Sequence, residues 1–270
     1  MVMALVALFM ATKLTHTAQM HPLVFRDNPW IGVVRWAFIG SVAWLCFVLA
    51  FFADPSIQGV YVLFDLVLGI TVIQTFGHLG ALFFGTSFRR DVVQRKNPAA
   101  AIFLSCFLFA TGLLFGGSVW GEADPDGDDE GGWWIPLGFF LAGWGGLLAL
   151  LGLFWFRESA GSTSTLIGDR DRWAARAAGV YTLSAAWVLT DAVAGDFHGW
   201  VHGLSAVLAV VVMLITHEIF RFAARRLGGG LRILEIVVYI AAALIIPTIG
   251  RWIERLDELV PLLRGLGIPL

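Results

Sequence analysis

Apolar runs of about twenty residues recur along the whole chain, broken by short charged or Gly-rich stretches. A helix rising about 1.5 Å per residue needs about 20 apolar residues to cross a bilayer core. Seven stretches reach that length or come near it: Trp36 to Phe52, Val60 to Phe84, Pro98 to Val119, Trp134 to Phe156, Trp173 to Ala194, Val201 to Phe220 and Leu234 to Ile249. Between them lie Ala53-Asp54-Pro55-Ser56, the acidic loop GEADPDGDDEGG and the polar linker RESAGSTSTLIGDRDR. After Arg251, the residues Ile253, Leu256 and Val260 recur at helical spacing beside Arg255, Asp257 and Glu258. That pattern predicts an amphipathic helix lying on the membrane, ended by Pro261. The expected fold is an all-α polytopic transmembrane bundle of about seven spans. It divides into residues 1–29, a cytoplasmic or interfacial N-terminal segment; residues 30–250, the bundle; and residues 251–270, an external amphipathic tail.

Charge gives the bundle a direction. Fifteen of the eighteen Lys and Arg residues fall on one side, before the first span or in and beside alternate connections, the groups around Arg89, Arg170 and Arg225 among them. Only Arg251, Arg255 and Arg264 fall on the other side, together with the whole acidic loop. Basic residues concentrate on the cytoplasmic face, so the N-terminus is expected inside and the C-terminus outside. The N-terminal apolar run is too short to span and lacks the basic start of a cleaved signal peptide.

Composition agrees with a membrane chain. Hydrophobic residues make up 58% and charged residues only 14%, against about 25% charged in soluble domains. A net charge of -2 excludes a broadly basic nucleic-acid binder. Cys46 and Cys106 lie inside apolar runs and read as small buried hydrophobes without a disulfide. Most of the twelve tryptophans fall near span ends, as an aromatic belt does.

There is a weak internal repeat: a span end, a basic linker and an Ala-rich helix start occur twice, with Asn97-Pro98-Ala99-Ala100 matching Arg172-Trp173-Ala174-Ala175. Both copies start from the cytoplasmic side, so the repeat is parallel. At these residues, over roughly Val60 to Gly199, the chain resembles a bacterial inner-membrane family of unknown function typified by YjfL. The resemblance implies a duplicated two-span unit and a bacterial inner-membrane location. It implies no catalytic residue.

Ionisable groups at membrane depth are costly and mark candidate sites. The second span carries Thr71, Gln74, Thr75 and His78 as one polar stripe; the sixth carries Thr216, His217 and Glu218; the seventh places Glu235 four residues before Tyr239. Gln74, His78, His217, Glu218 and Glu235 are the candidates for a proton or cation path, the alternative being ordinary interhelical hydrogen bonding. His78 in particular is expected to point into the bundle and find a hydrogen-bond partner on the sixth or seventh span or on a bound ligand. At the external rim, Asp196, His198 and His202 have a spacing that can hold a divalent metal, or they cap a helix and sit among headgroups. His78 and His217 are the two histidines deep enough to serve as axial ligands of a haem b. No phosphate loop, dinucleotide fingerprint, zinc-protease motif or nucleophile elbow is present, so the chain leans away from being an enzyme. Three readings remain open: a transport or channel component for protons or small cations, a non-catalytic scaffold subunit working with membrane-protein partners or further copies of itself, and a haem- or metal-dependent redox protein.

Overall fold

Two Asn-Pro dipeptides open helices in the same way. Asn97 accepts hydrogen bonds from the Ala99 and Ala100 amides (3.0 and 3.5 Å), and Asn28 accepts from Trp30 (3.2 Å). In each case proline fills the first helical position, where no N–H is needed. The first helix therefore begins at Pro29, well before the Trp36 expected from hydropathy. The computed structural model describes residues 27–53, 57–121, 134–159, 172–194, 200–227 and 231–265. They form α1 (Pro29–Phe51), α2 (Val60–Phe83), α3 (Pro98–Ser118), α4 (Trp134–Ser159), α5 (Arg172–Ala192), α6 (Trp200–Leu227) and α7 (Leu231–Gly265), with a short π-helical segment, Phe88–Gln94, between α2 and α3.

Among the described residues, five helices are long and apolar enough to cross a membrane: α1, α2, α3, α4 and the Ile233–Ile253 part of α7. This is the architecture of a membrane-embedded, multi-pass helical protein. The apolar part of α6, Leu204–Phe220, is shorter. α5 carries Arg172, Arg176 and Asp191 and is rich in alanine. Its surroundings explain that composition: it packs against α3, α4, α6 and α7, and most of its side chains are buried, so it needs little lipid-facing surface.

The odd-numbered helices form a row. On α1, Ser41 and Trp44 meet Gly112 and Gly116 of α3; on α3, Cys106 and Gly117 meet Gly179 and Thr190 of α5. Tyr181 and Asp191 of α5 meet Tyr239 and Arg251 of α7. Positions rise together in every pair, so α1, α3, α5 and α7 run parallel. α2 runs against them, with Gly69 at Phe115, Gly77 at Leu108 and Gly80 at Phe107. α3 lies within the row and is buried along nearly its whole length.

The turn out of α2 is set by Gly85, whose φ of +75° allows Gly85 N–H to bond Leu82 C=O and Thr86 N–H to bond Ala81 C=O, both at 2.9 Å. That pair of bonds is the Schellman arrangement, which favours glycine. The basic linker then folds around Asp91. This buried carboxylate accepts from the Ser87 amide (2.8 Å), from Arg90 (3.0 and 3.1 Å) and from Arg95 (3.3 Å). The Asp91 hydrogen bond, then its charge, raises the Arg90 guanidinium above its ordinary value, against a smaller effect of desolvation.

Two expectations are corrected. Residues 251–265 continue α7 without a break, so no separate surface helix starts after Arg251, and Pro261 lies inside the helix. A proline removes one N–H and disturbs the carbonyl one turn earlier; here the helix carries on past it. Cys46 is exposed, on the outward side of α1, and Cys106 is half-buried under Gly179.

Candidate functional site

Glu235 and Tyr239 are four residues apart on α7 and so share one helix face. His217 approaches that face from α6, a helix separated from α7 by only three residues of sequence. Tyr239 Oη donates to Glu235 Oε1 at 2.6 Å; His217 Nδ1 lies 3.2 Å from Tyr239 Oη and 3.4 Å from Glu235 Oε1. The hydroxyl proton is committed to the carboxylate. Tyr239 is therefore the acceptor towards histidine, which assigns the His217 proton to Nδ1. The result is a directed chain, His217 N–H to Tyr239 O–H to Glu235. All three side chains are cut off from the surface, with exposures of 1%, 0% and 0%.

Aromatic rings close the site. Phe154 of α4 lies 4.1 Å from the His217 ring and stacks on Tyr181 at 4.6 Å. Tyr181 meets Tyr239 edge-on at 5.4 Å. A carboxylate and an imidazole here have little water to share their charge with. Each depends on the other and on the phenol for stabilisation.

Glu218, the next residue on α6, points elsewhere: it pairs at 2.5 Å with Arg157 near the end of α4, both partly exposed. It thus finds its cation on another helix.

His78 and Gln74 are not brought to this site. α2 packs mainly on α1 and α3 and reaches α4 through Phe76. His78 is half-buried with its ring edge-on to Phe88 at 5.5 Å. Among the described residues no hydrogen bond joins it to α6 or α7, so the expected partner on those spans is not found. The physical reason is the row: α3 and α4 stand between α2 and the last two helices. The same separation removes the basis for pairing His78 with His217 across one haem. Gln74 is buried on the inner side of α2. Asp196 and His198 lie outside the described residues, and only the backbone of His202 is described. Among the described residues no group of three or more His, Cys, Asp or Glu could hold a metal ion.

No family model, curated protein or solved structure matches the chain. What the site can do must come from its own geometry. Two features escaped the sequence reading. Asp91 was hidden in a run of basic residues. The α1 start was signalled by Asn28-Pro29, the same dipeptide that marks α3. Tyr239 was noted only for its spacing; its hydroxyl turns out to be the link between the other two groups.

Proposed function

We propose that the chain is a seven-span inner-membrane protein, N-terminus inside and C-terminus outside, that handles protons through His217, Tyr239 and Glu235. The carrying observation is the complete burial of a histidine and a glutamate bridged by a phenol hydroxyl. Ionisable groups at such depth in a membrane bundle are costly to keep and mark proton or ion pathways. Each group can pass a proton to the next along existing hydrogen bonds. The partly exposed Arg157–Glu218 pair lies one residue along α6 from His217 and suits an inner mouth.

Seven spans follow from treating α5 and α6 as membrane-crossing alongside the five apolar helices. The common direction of the odd helices supports this reading, since alternate spans must run the same way. Adding one row helix for every two spans is also what a duplicated two-span unit would build, and it supports the YjfL-like resemblance. Cysteine labelling from outside should reach Asp126→Cys and fail at Thr163→Cys; the reverse pattern would overturn the orientation.

The activity is tested in proteoliposomes that trap a pH-sensitive dye. With a potassium diffusion potential imposed, wild-type protein should acidify or alkalise the lumen at least about tenfold faster than Glu235→Gln or His217→Gln. Wild-type vesicles no leakier than protein-free ones would sink the proton reading in favour of a scaffold role.

A further inference from the structure

The row of parallel helices has two contrasting outer ends. Between α1 and α3 the end is sealed: Phe52 stacks on Trp120 at 4.3 Å, and Ala53 bridges to Trp120. Between α5 and α7 it is open. A cavity of about 140 Å³ lies there, lined by Trp187, Val188 and Asp191 of α5 and by Leu244, Pro247 and Arg251 of α7. Asp191 and Arg251 form an ion pair across it. The aspartate is mostly buried and the guanidinium about half exposed, at 13% and 47%. Trp187, Leu244 and Trp252 present apolar surface beside the pair.

We infer that this groove binds the headgroup of a phospholipid carrying a primary ammonium, a phosphatidylethanolamine-type lipid. Four observations carry the inference. Arg251 lies in the last turn of a candidate span, Ile233–Ile253, and Asp191 in the last turn of α5, the depth at which headgroups sit. The groove presents one fixed anion beside one fixed cation, matching the ammonium and phosphate of a zwitterionic headgroup. A guanidinium presents its N–H donors in a planar fork, and that fork suits phosphate as it suits carboxylate. The volume is well below the several hundred Å³ of a drug-sized pocket and suits a small ammonium group better than a bulky one. The exposed faces of Leu244 and Trp187 would lie along the acyl chains.

The site is distinct from the buried histidine site. Counting from Tyr239 to Arg251 at about 1.5 Å per residue places them about 18 Å apart along α7. The inference shares with the proposed function only the membrane setting.

The test uses the full chain in nanodiscs of equal phosphatidylethanolamine and phosphatidylglycerol. After transfer to detergent, retained lipid is counted by native mass spectrometry. Wild type should retain about one phosphatidylethanolamine per chain, at least fivefold over phosphatidylglycerol. Asp191→Asn and Arg251→Gln should each lower that retention at least fivefold, with unchanged helical circular dichroism. Equal retention of both lipids, or no loss in either variant, would overturn the assignment. So would chain dimers, broken by Arg251→Gln, that hold no lipid, since a second copy would then be the occupant. Should a variant unfold, phosphatidylcholine in place of phosphatidylethanolamine around wild type decides: retention must fall with the bulky quaternary headgroup, and undiminished retention overturns it. A chain that stays soluble without detergent would fail the membrane reading itself, an outcome readily told apart from a simple loss of lipid preference.

Discussion

The seam between α1 and α3 and the seam between α6 and α7 hold helices together by different means. In the first, small residues let backbones approach. A methyl group at Gly112 would meet Ser41 Cβ at 2.6 Å, and one at Gly116 would strike the Trp44 ring at 2.3 Å. The Ser41 hydroxyl adds a bond to Leu108 C=O across the seam at 3.2 Å. In the second, one histidine, one phenol and one carboxylate meet in an enclosed space. Lipid tails are as apolar as leucine, so helices in a membrane associate through close fit and through polar contacts. The close-fit seam needs no group that can change its charge. The polar seam keeps two such groups at a cost in burial, and that cost is why we propose function there.

The sharpest way to break the comparison is to leave the polar seam half made. Glu235→Leu strands His217 and the Tyr239 hydroxyl, and should cost about 3–5 kcal/mol, the range for removing one member of a buried ionic pair. Adding His217→Phe and Tyr239→Phe to the same chain should recover most of that loss. Unfolding in detergent micelles measures both. A single variant within about 1 kcal/mol of wild type would mean the triad contributes little to joining α6 and α7.

A smaller effect is expected where fit alone decides. A methyl group at Gly117 would lie 2.6 Å from the backbone oxygen of Thr190 on α5, which cannot rotate away. Gly117→Ala should therefore cost about 1–3 kcal/mol. Gly145→Ala, where nothing lies within 4 Å, should be neutral or slightly stabilising, since alanine suits a helix interior better. Equal melting temperatures for the two variants would remove the close-fit account of the row.

The smallest effect belongs to the rim. Arg157 and Glu218 are both partly exposed, and such pairs contribute about 0–1 kcal/mol. Arg157→Gln should barely move stability. Proton flux measured on that variant sharpens the contrast: a changed rate with unchanged stability assigns the pair to the pathway and not to the seam.

Much of the fold was legible because span length and breakers act locally. Pro98 and Val60 mark helix starts in sequence as in structure. The candidate site was only half legible. Spacing put Glu235 and Tyr239 on one face, and His217 stood out as an ionisable group in an apolar run. Which helix faces which is a property of packing order, and nothing in the α2 stripe reveals that α3 and α4 separate it from α6. His78 looked like a partner for His217 for that reason. Glu218 shows the same limit: nothing in the sequence around it marks Arg157, which α4 brings to it across the bundle.

The make-up of α5 bears on how the protein is built in the first place. Two arginines and an aspartate in an alanine-rich helix make a poor membrane segment by itself, since each such charge resists entry into the lipid core. In the seven-span reading, α5 emerges from the ribosome only after α1, α2, α3 and α4. The grooved flank of α3, with Gly117 awaiting Thr190, is by then in place to receive it. In that reading, insertion of this segment is tied to the helices made before it, and a chain lacking α3 would offer α5 no such flank to pack against.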